Sequence, residues 1–158
     1  MAAKPDGISA PADGAHELVI RRVLAAPRAL VWEVWTTPAH LLQWWGPHGY
    51  TAFACTMDVR PGGRWRVGMR SPAGDAMWTS GEFHEVVPPT RMVMSFAWEE
   101  AGAEAPMLGG PTVVTVELGE RDGQTEVVLR QRGFETAASR DRHGQGWIEC
   151  LERVATLL

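Results

Sequence analysis

Between residues 51 and 132 the chain alternates apolar and polar side chains, broken only at turn-like sequences and one longer Gly/Ala/Pro-rich stretch. No other feature limits the available folds as tightly. A period of two puts successive side chains on opposite faces of an extended strand. "TAFACTMDVR" reads as a strand, "PGG" as a turn, and "RWRVGMRS" as the next strand, with Trp65, Val67 and Met69 sharing one face. "PAGD" leads into "MWTSGEFHEVV", "PPT" into "RMVMSFAWEE", and "RDGQ" joins "TVVTVELGE" to "TEVVLRQRGF". Asp-Gly is a strong hairpin signal. Connections this short predict antiparallel pairing, because a parallel pair needs a crossover of roughly a dozen residues or more. Residues 101–111, "AGAEAPMLGGP", read as a long loop.

Helical patterns flank this run. "HELVIRRVLA" (16–25) is extended and apolar enough for a first strand. In "APRALVWEVWTT", Pro27 suits a first helical turn, and Leu30, Val31, Val34 and Trp35 predict one apolar face. Pro38 ends that helix, and "PAHLLQWW" predicts a short second one that Gly46-Pro47 closes. From 137 to 158, Trp147, Ile148, Leu151, Val154, Ala155 and Leu158 recur at three- and four-residue spacing. The predicted order is β-α-α, six strands, then α. It defines an α+β class in which the terminal helix alone is long enough to cover the sheet's apolar face. Residues 1–14 are expected as a flexible tail, and 15–158 as a single domain.

Charge and composition narrow the partners. The net charge is -4, Lys4 is the only lysine, and arginines are not clustered, which argues against nucleic acid. No apolar run approaches a membrane span, and the first residues lack a signal-peptide core, so a cytoplasmic protein is expected. Cys55 and Cys150 are expected as reduced core thiols. His16, His40, His48, His84 and His143 stand singly, and phosphate, dinucleotide and nucleophile-elbow motifs are missing from the sequence, so neither metal nor cofactor is expected.

Candidate functional residues begin with "LLQWWGPHGY". Helical neighbours sit about 100° apart, so Trp44 and Trp45 are not expected to bury against one surface. One is expected inside and the other at a rim or against a neighbouring molecule. Trp65, Trp78, Trp98 and Trp147, with Met69, Met92, Met94 and Phe96, supply large side chains that fill a core or line an adaptable pocket. His143 lies one turn before Trp147, beside Gly144 and Gly146, and is either a structural histidine or an acid/base. Glu82 and Glu85 have odd spacing and are expected on opposite faces, with Glu85 paired to Arg91 across the "PPT" turn. Glu117 is a candidate for a buried carboxylate.

"RVLAAPRALVWEVWTTP" (22–38) followed by "LLQWWGP" (41–47) resembles the START-like (SRPBCC) superfamily, in the branch of the activator of Hsp90 ATPase. "DVRPGGRWRVGMRSPAGD", "GEFHEVVPPTRMVMSF" and "HGQGWIECLERVATLL" resemble later blocks of that family in the same order. The resemblance implies a helix-grip fold, a curved antiparallel sheet around the C-terminal helix, with a partly hollow core. The function it implies is binding of a small apolar, aromatic or lipid-like ligand in that cavity. The ligand-facing set would be Trp44, Trp45, Trp65, Met69, Trp78, Met94, Phe96, Trp98, His143, Trp147 and Leu151. Two alternatives stay open. One is a cyclase, dehydratase or hydrolase using His143, and the other a protein-interaction module or homodimer.

Overall fold

A computed structural model describes residues 8–9, 16–99 and 110–158. The strands are β1 (Ile8–Ser9), β2 (Glu17–Leu24), β3 (Thr51–Met57), β4 (Arg64–Arg70), β5 (Ala76–Val87), β6 (Arg91–Trp98), β7 (Thr112–Arg121) and β8 (Gln124–Arg132). The helices are α1 (Arg28–Thr36), α2 (Pro38–Leu41) and α3 (Ala137–Thr156). All strand pairs are antiparallel, in the spatial order β1-β2-β8-β7-β6-β5-β4-β3. The short β1 falls in the segment expected as a tail and pairs with β2. The other residues of that segment, and most of the 101–111 loop, lie outside the described residues.

Consecutive strands form a meander from β3 to β8, and β2 lies beside β8 with the short β1 outside it. Asp122 and Gly123 both have positive φ, as the two-residue turn between β7 and β8 requires. The sheet curves around α3, whose Ser139, His143, Trp147, Cys150, Leu151 and Val154 form one buried stripe. Thr136 caps that helix by accepting the Ser139 N–H through its hydroxyl at 3.0 Å. Val31, Val34 and Trp35 of α1 join the same core, whereas Leu30 is 39% exposed and corrects the face expected for that helix. Packing chooses among four apolar neighbours where the spacing alone does not.

One further expectation is corrected by a bulge in β5, and a second by the outward face of β7. Phe83 pairs with Met94, but Glu85 pairs with Val93, so one extra residue near His84 resets the alternation. Glu82 and Glu85 therefore share the outer face. Glu117 also points outward, where Arg91 bridges it at 3.0 Å and Glu85 at 3.2 Å.

Candidate functional site

The chain leaves α2 in one more turn and enters Trp44 and Trp45, which bury on two different surfaces. Trp44 is fully buried toward α1, with its ring centroid 4.6 Å from Trp35 and its indole N–H donating to the Val34 carbonyl at 3.0 Å. Trp45 turns the other way, edge-on to Trp147 at 5.4 Å and against Trp65 and Phe96. The expected angular separation is present. The expected exposure of one indole is not, because α3 and the sheet cover Trp45.

The corner is held by the terminal helix. Gly46 has φ +113°, and a side chain there would sit 3.1 Å from Tyr50 Cβ and 3.2 Å from Met69 Sδ. Its N–H donates to Cys150 Sγ at 3.3 Å. Arg153 donates to the Gly46 carbonyl at 2.9 Å, the Tyr50 carbonyl at 3.2 Å and the Gln43 carbonyl at 3.3 Å. The His48 N–H donates to Glu149 at 2.8 Å. Residues 149, 150 and 153 fall on one side of α3, so a single helical edge fixes a turn about a hundred residues earlier in the chain.

Beside this corner lies a cavity of about 90 Å³ between α3 and the inner ends of β4, β5 and β6. Of the expected ligand-facing residues, Trp45, Met69, Phe96, Trp98, His143 and Trp147 line it. Trp44 lies behind it, as described. Trp65 is buried next to it, crossing over Gly81 so that its indole N–H donates to the Ser95 carbonyl at 3.2 Å. Met94 sits further along β6 opposite Phe83, and Leu151 is buried in α3 beyond the cavity wall. Trp78 is on the outer face, against Phe53 and under the Arg66 guanidinium at 3.7 Å. Its neighbour Met77 takes the inward position and lines the cavity. Gly46, Pro47, Tyr50, Arg142, Gly146 and Cys150 complete the wall.

Polar pins hold the rings. The Trp147 indole N–H donates to Gln131 Oε1 at 2.7 Å, Gln131 Nε2 donates to Thr112 Oγ1 at 2.8 Å, and that hydroxyl donates to the Phe96 carbonyl at 3.3 Å. Gln131 is fully buried, and each bond removes a desolvation penalty that its polar atoms would otherwise carry. Gln131 was not among the expected site residues, although it has the strand parity of Val127 and Leu129.

His143 is pinned at both nitrogens. The Trp98 indole N–H donates to its Nε2 at 2.9 Å, so that nitrogen accepts and the ring proton sits on Nδ1, which donates to the Ser139 carbonyl at 2.7 Å. Burial pushes its pKa below the ordinary histidine range, and the nearby Arg142 charge adds to the effect. In this arrangement the lone pair a general base needs is already engaged. Burial pushes the Cys150 thiol up to about 12 and the Cys55 thiol to about 11, so both are protonated at neutral pH. Neither is in a disulfide. Among the described residues, no group of three His, Cys, Asp or Glu side chains converges as a metal set.

A curved antiparallel sheet gripping a long terminal helix over a small lined cavity defines the helix-grip class of START-like proteins. The family model for activator of Hsp90 ATPase homolog 1-like proteins matches residues 25–158, and the chain belongs to that family. It is similar to an AHSA1 protein from Silicibacter pomeroyi, at 26% identity and TM-score 0.75, covering 89% of this chain and 96% of that one. A protein from Chromobacterium violaceum matches at 25% identity and TM-score 0.80, covering 90% and 96%. A protein from Arthrobacter aurescens shares the fold at TM-score 0.83 and 22% identity, covering 98% and 91%. The search of curated proteins found no match. Among the described residues no helix is long and apolar enough to cross a membrane.

Proposed function

We propose that this domain binds a compact apolar or aromatic molecule in the cavity between the sheet and α3. The observation that carries the reading is the cavity wall. Rigid rings from three separate elements, Trp45, Phe96 and Trp147, meet there with Met69 and Met77 around open space of about 90 Å³. Apolar surface of this kind gains free energy by leaving water on contact with an apolar guest. Sites for drug-sized ligands run to about 300–1,000 Å³, so the resting cavity suits a guest of about one ring. Larger guests require the two methionines to move, which their flexible thioethers allow. The pinned nitrogens of His143 favour binding over acid/base turnover in this arrangement.

The test compares the native and denatured mass of the purified protein and titrates its tryptophan fluorescence with small arenes. The expected result is either an adduct lost on denaturation or a saturable change in emission. A bare native mass together with flat titrations across the arene series overturns the reading.

A further inference from the structure

We further infer that the guest of this cavity is a phenol: a one-ring molecule whose neutral hydroxyl pairs with Thr79 at the floor. This rests on the ligand-binding reading above and adds the chemical class of the guest.

Thr79 sits on the inner face of β5 and is 1% exposed. It stands opposite Val67 on β4 and Trp98 on β6. Met77 precedes it by two residues on the same face, and Met69 and Phe96 are its diagonal neighbours on the flanking strands. Met69, Met77, Phe96 and Trp98 all line the cavity, so Thr79 lies at the centre of the stretch of sheet that floors it.

Thr79 Oγ1 is buried and has no hydrogen-bond partner among the described residues. Buried hydroxyls are ordinarily paired, because an unpaired one has given up its bonds to water without replacement. The other buried side-chain atoms in the same condition, His16 Nδ1, Arg28 Nε and Trp35 Nε1, stand on α1 or just ahead of β2. Around the cavity, the indole N–H groups of Trp65, Trp98 and Trp147 donate to Ser95, His143 and Gln131. Beside these engaged groups, the floor hydroxyl is left over.

A threonine hydroxyl offers one donor and two acceptors and carries no charge. It suits a guest group that both gives and takes a hydrogen bond, and it cannot offset the much larger cost of burying an ion. A phenol meets both conditions, since such hydroxyls titrate at about 10 and are neutral at pH 7.5. Thr79 Oγ1 lies beneath the lining side chains, so the guest's hydroxyl reaches it as the flexible Met77 thioether swings aside. The ring then stays among Trp45, Phe96 and Trp147.

Phenol and toluene, which are close in size, titrated into the full chain at pH 7.5 by calorimetry, test the assignment. Thr79→Val exchanges the hydroxyl for a methyl of similar shape and should weaken phenol about tenfold relative to toluene. Thr79→Ser keeps the hydroxyl and should restore the wild-type ratio. Thr79→Val should also raise the denaturant midpoint of the ligand-free chain, because it removes an unpaired buried group, whereas a hydroxyl bonded within the fold would lower it. A phenol-to-toluene ratio that Thr79→Val leaves unchanged or Thr79→Ser fails to restore, or a lowered midpoint in Thr79→Val, overturns the phenol assignment while leaving the ligand reading in place. Failure of both probes and of other small arenes to bind the wild-type chain overturns the ligand reading and this assignment with it.

Discussion

On β2, β7 and β8 the inward side chains include Leu18, Ile20, Val116, Val127 and Leu129, each at most 1% exposed. On β4, β5 and β6 they include Trp65, Met69, Met77, Phe96 and Trp98, and the cavity lies against these strands. Branched aliphatic side chains interlock to crystal-like density in a protein interior, and β2 packs directly against α3. Flat rings meet at angles between 29° and 86° around Trp45 and leave space between them. The aliphatic half needs few side-chain hydrogen bonds to define its packing. The aromatic half is positioned by them, through Gln131, His143, Trp65 and the corner. One sheet thus supports a solid half that supplies stability and a pinned half that keeps a recess open.

Substitutions should separate the two halves. Leu129→Ala is expected to cost about 2–5 kcal/mol in denaturant unfolding while the folded protein keeps its affinity for a small arene. A matching loss of affinity would show that the halves are coupled. Arg153→Met leaves the carbonyls of Gly46, Tyr50 and Gln43 without their cationic donor, and about 2 kcal/mol of stability should go with it. Its additional signature is a change in tryptophan emission, because the corner carries Trp45. Gln131→Met removes the acceptor for Trp147 and the donor to Thr112, with an expected cost of about 1–2 kcal/mol and weaker arene binding.

A smaller effect should appear with pH. His143 stays neutral in the fold, whereas the unfolded chain takes up a proton below about pH 6.5. The unfolded state then binds more protons, so stability is full above that pH and declines as pH falls through it. The decline ends once the folded imidazole also protonates. His143→Gln should flatten this part of the stability profile, and an unchanged slope would assign it to other groups.

The fold was legible because turns and strand alternation are local signals. "PGG", "PAGD" and "RDGQ" each turn where expected, and the terminal stripe from Trp147 to Val154 packs on the sheet. The site was legible in part, for reasons visible at single residues. In "AMWTS" both Met77 and Trp78 are large and apolar, so composition does not say which faces inward, and the pairing of Trp78 with Gly68 sends the tryptophan out. There a side chain on Gly68 would come within 2.9 Å of the Trp78 ring. The bulge at His84 carries no residue signature and reverses the expected relation of Glu82 to Glu85. Arg153 reads as an ordinary solvent-facing helix residue. Its role depends on a turn 107 residues away, which no window along the sequence contains.

That separation has a kinetic consequence. The corner and its arginine are joined across most of the chain, and β2 must wait for β8 in the same way. Closing loops of such length costs entropy before any contact repays it, and chains dominated by distant pairings fold slowly. The β3–β6 meander can assemble from neighbours, but the mouth of the recess is completed only when the terminal helix docks. The binding site should therefore be among the last parts of the molecule to form and among the first to loosen.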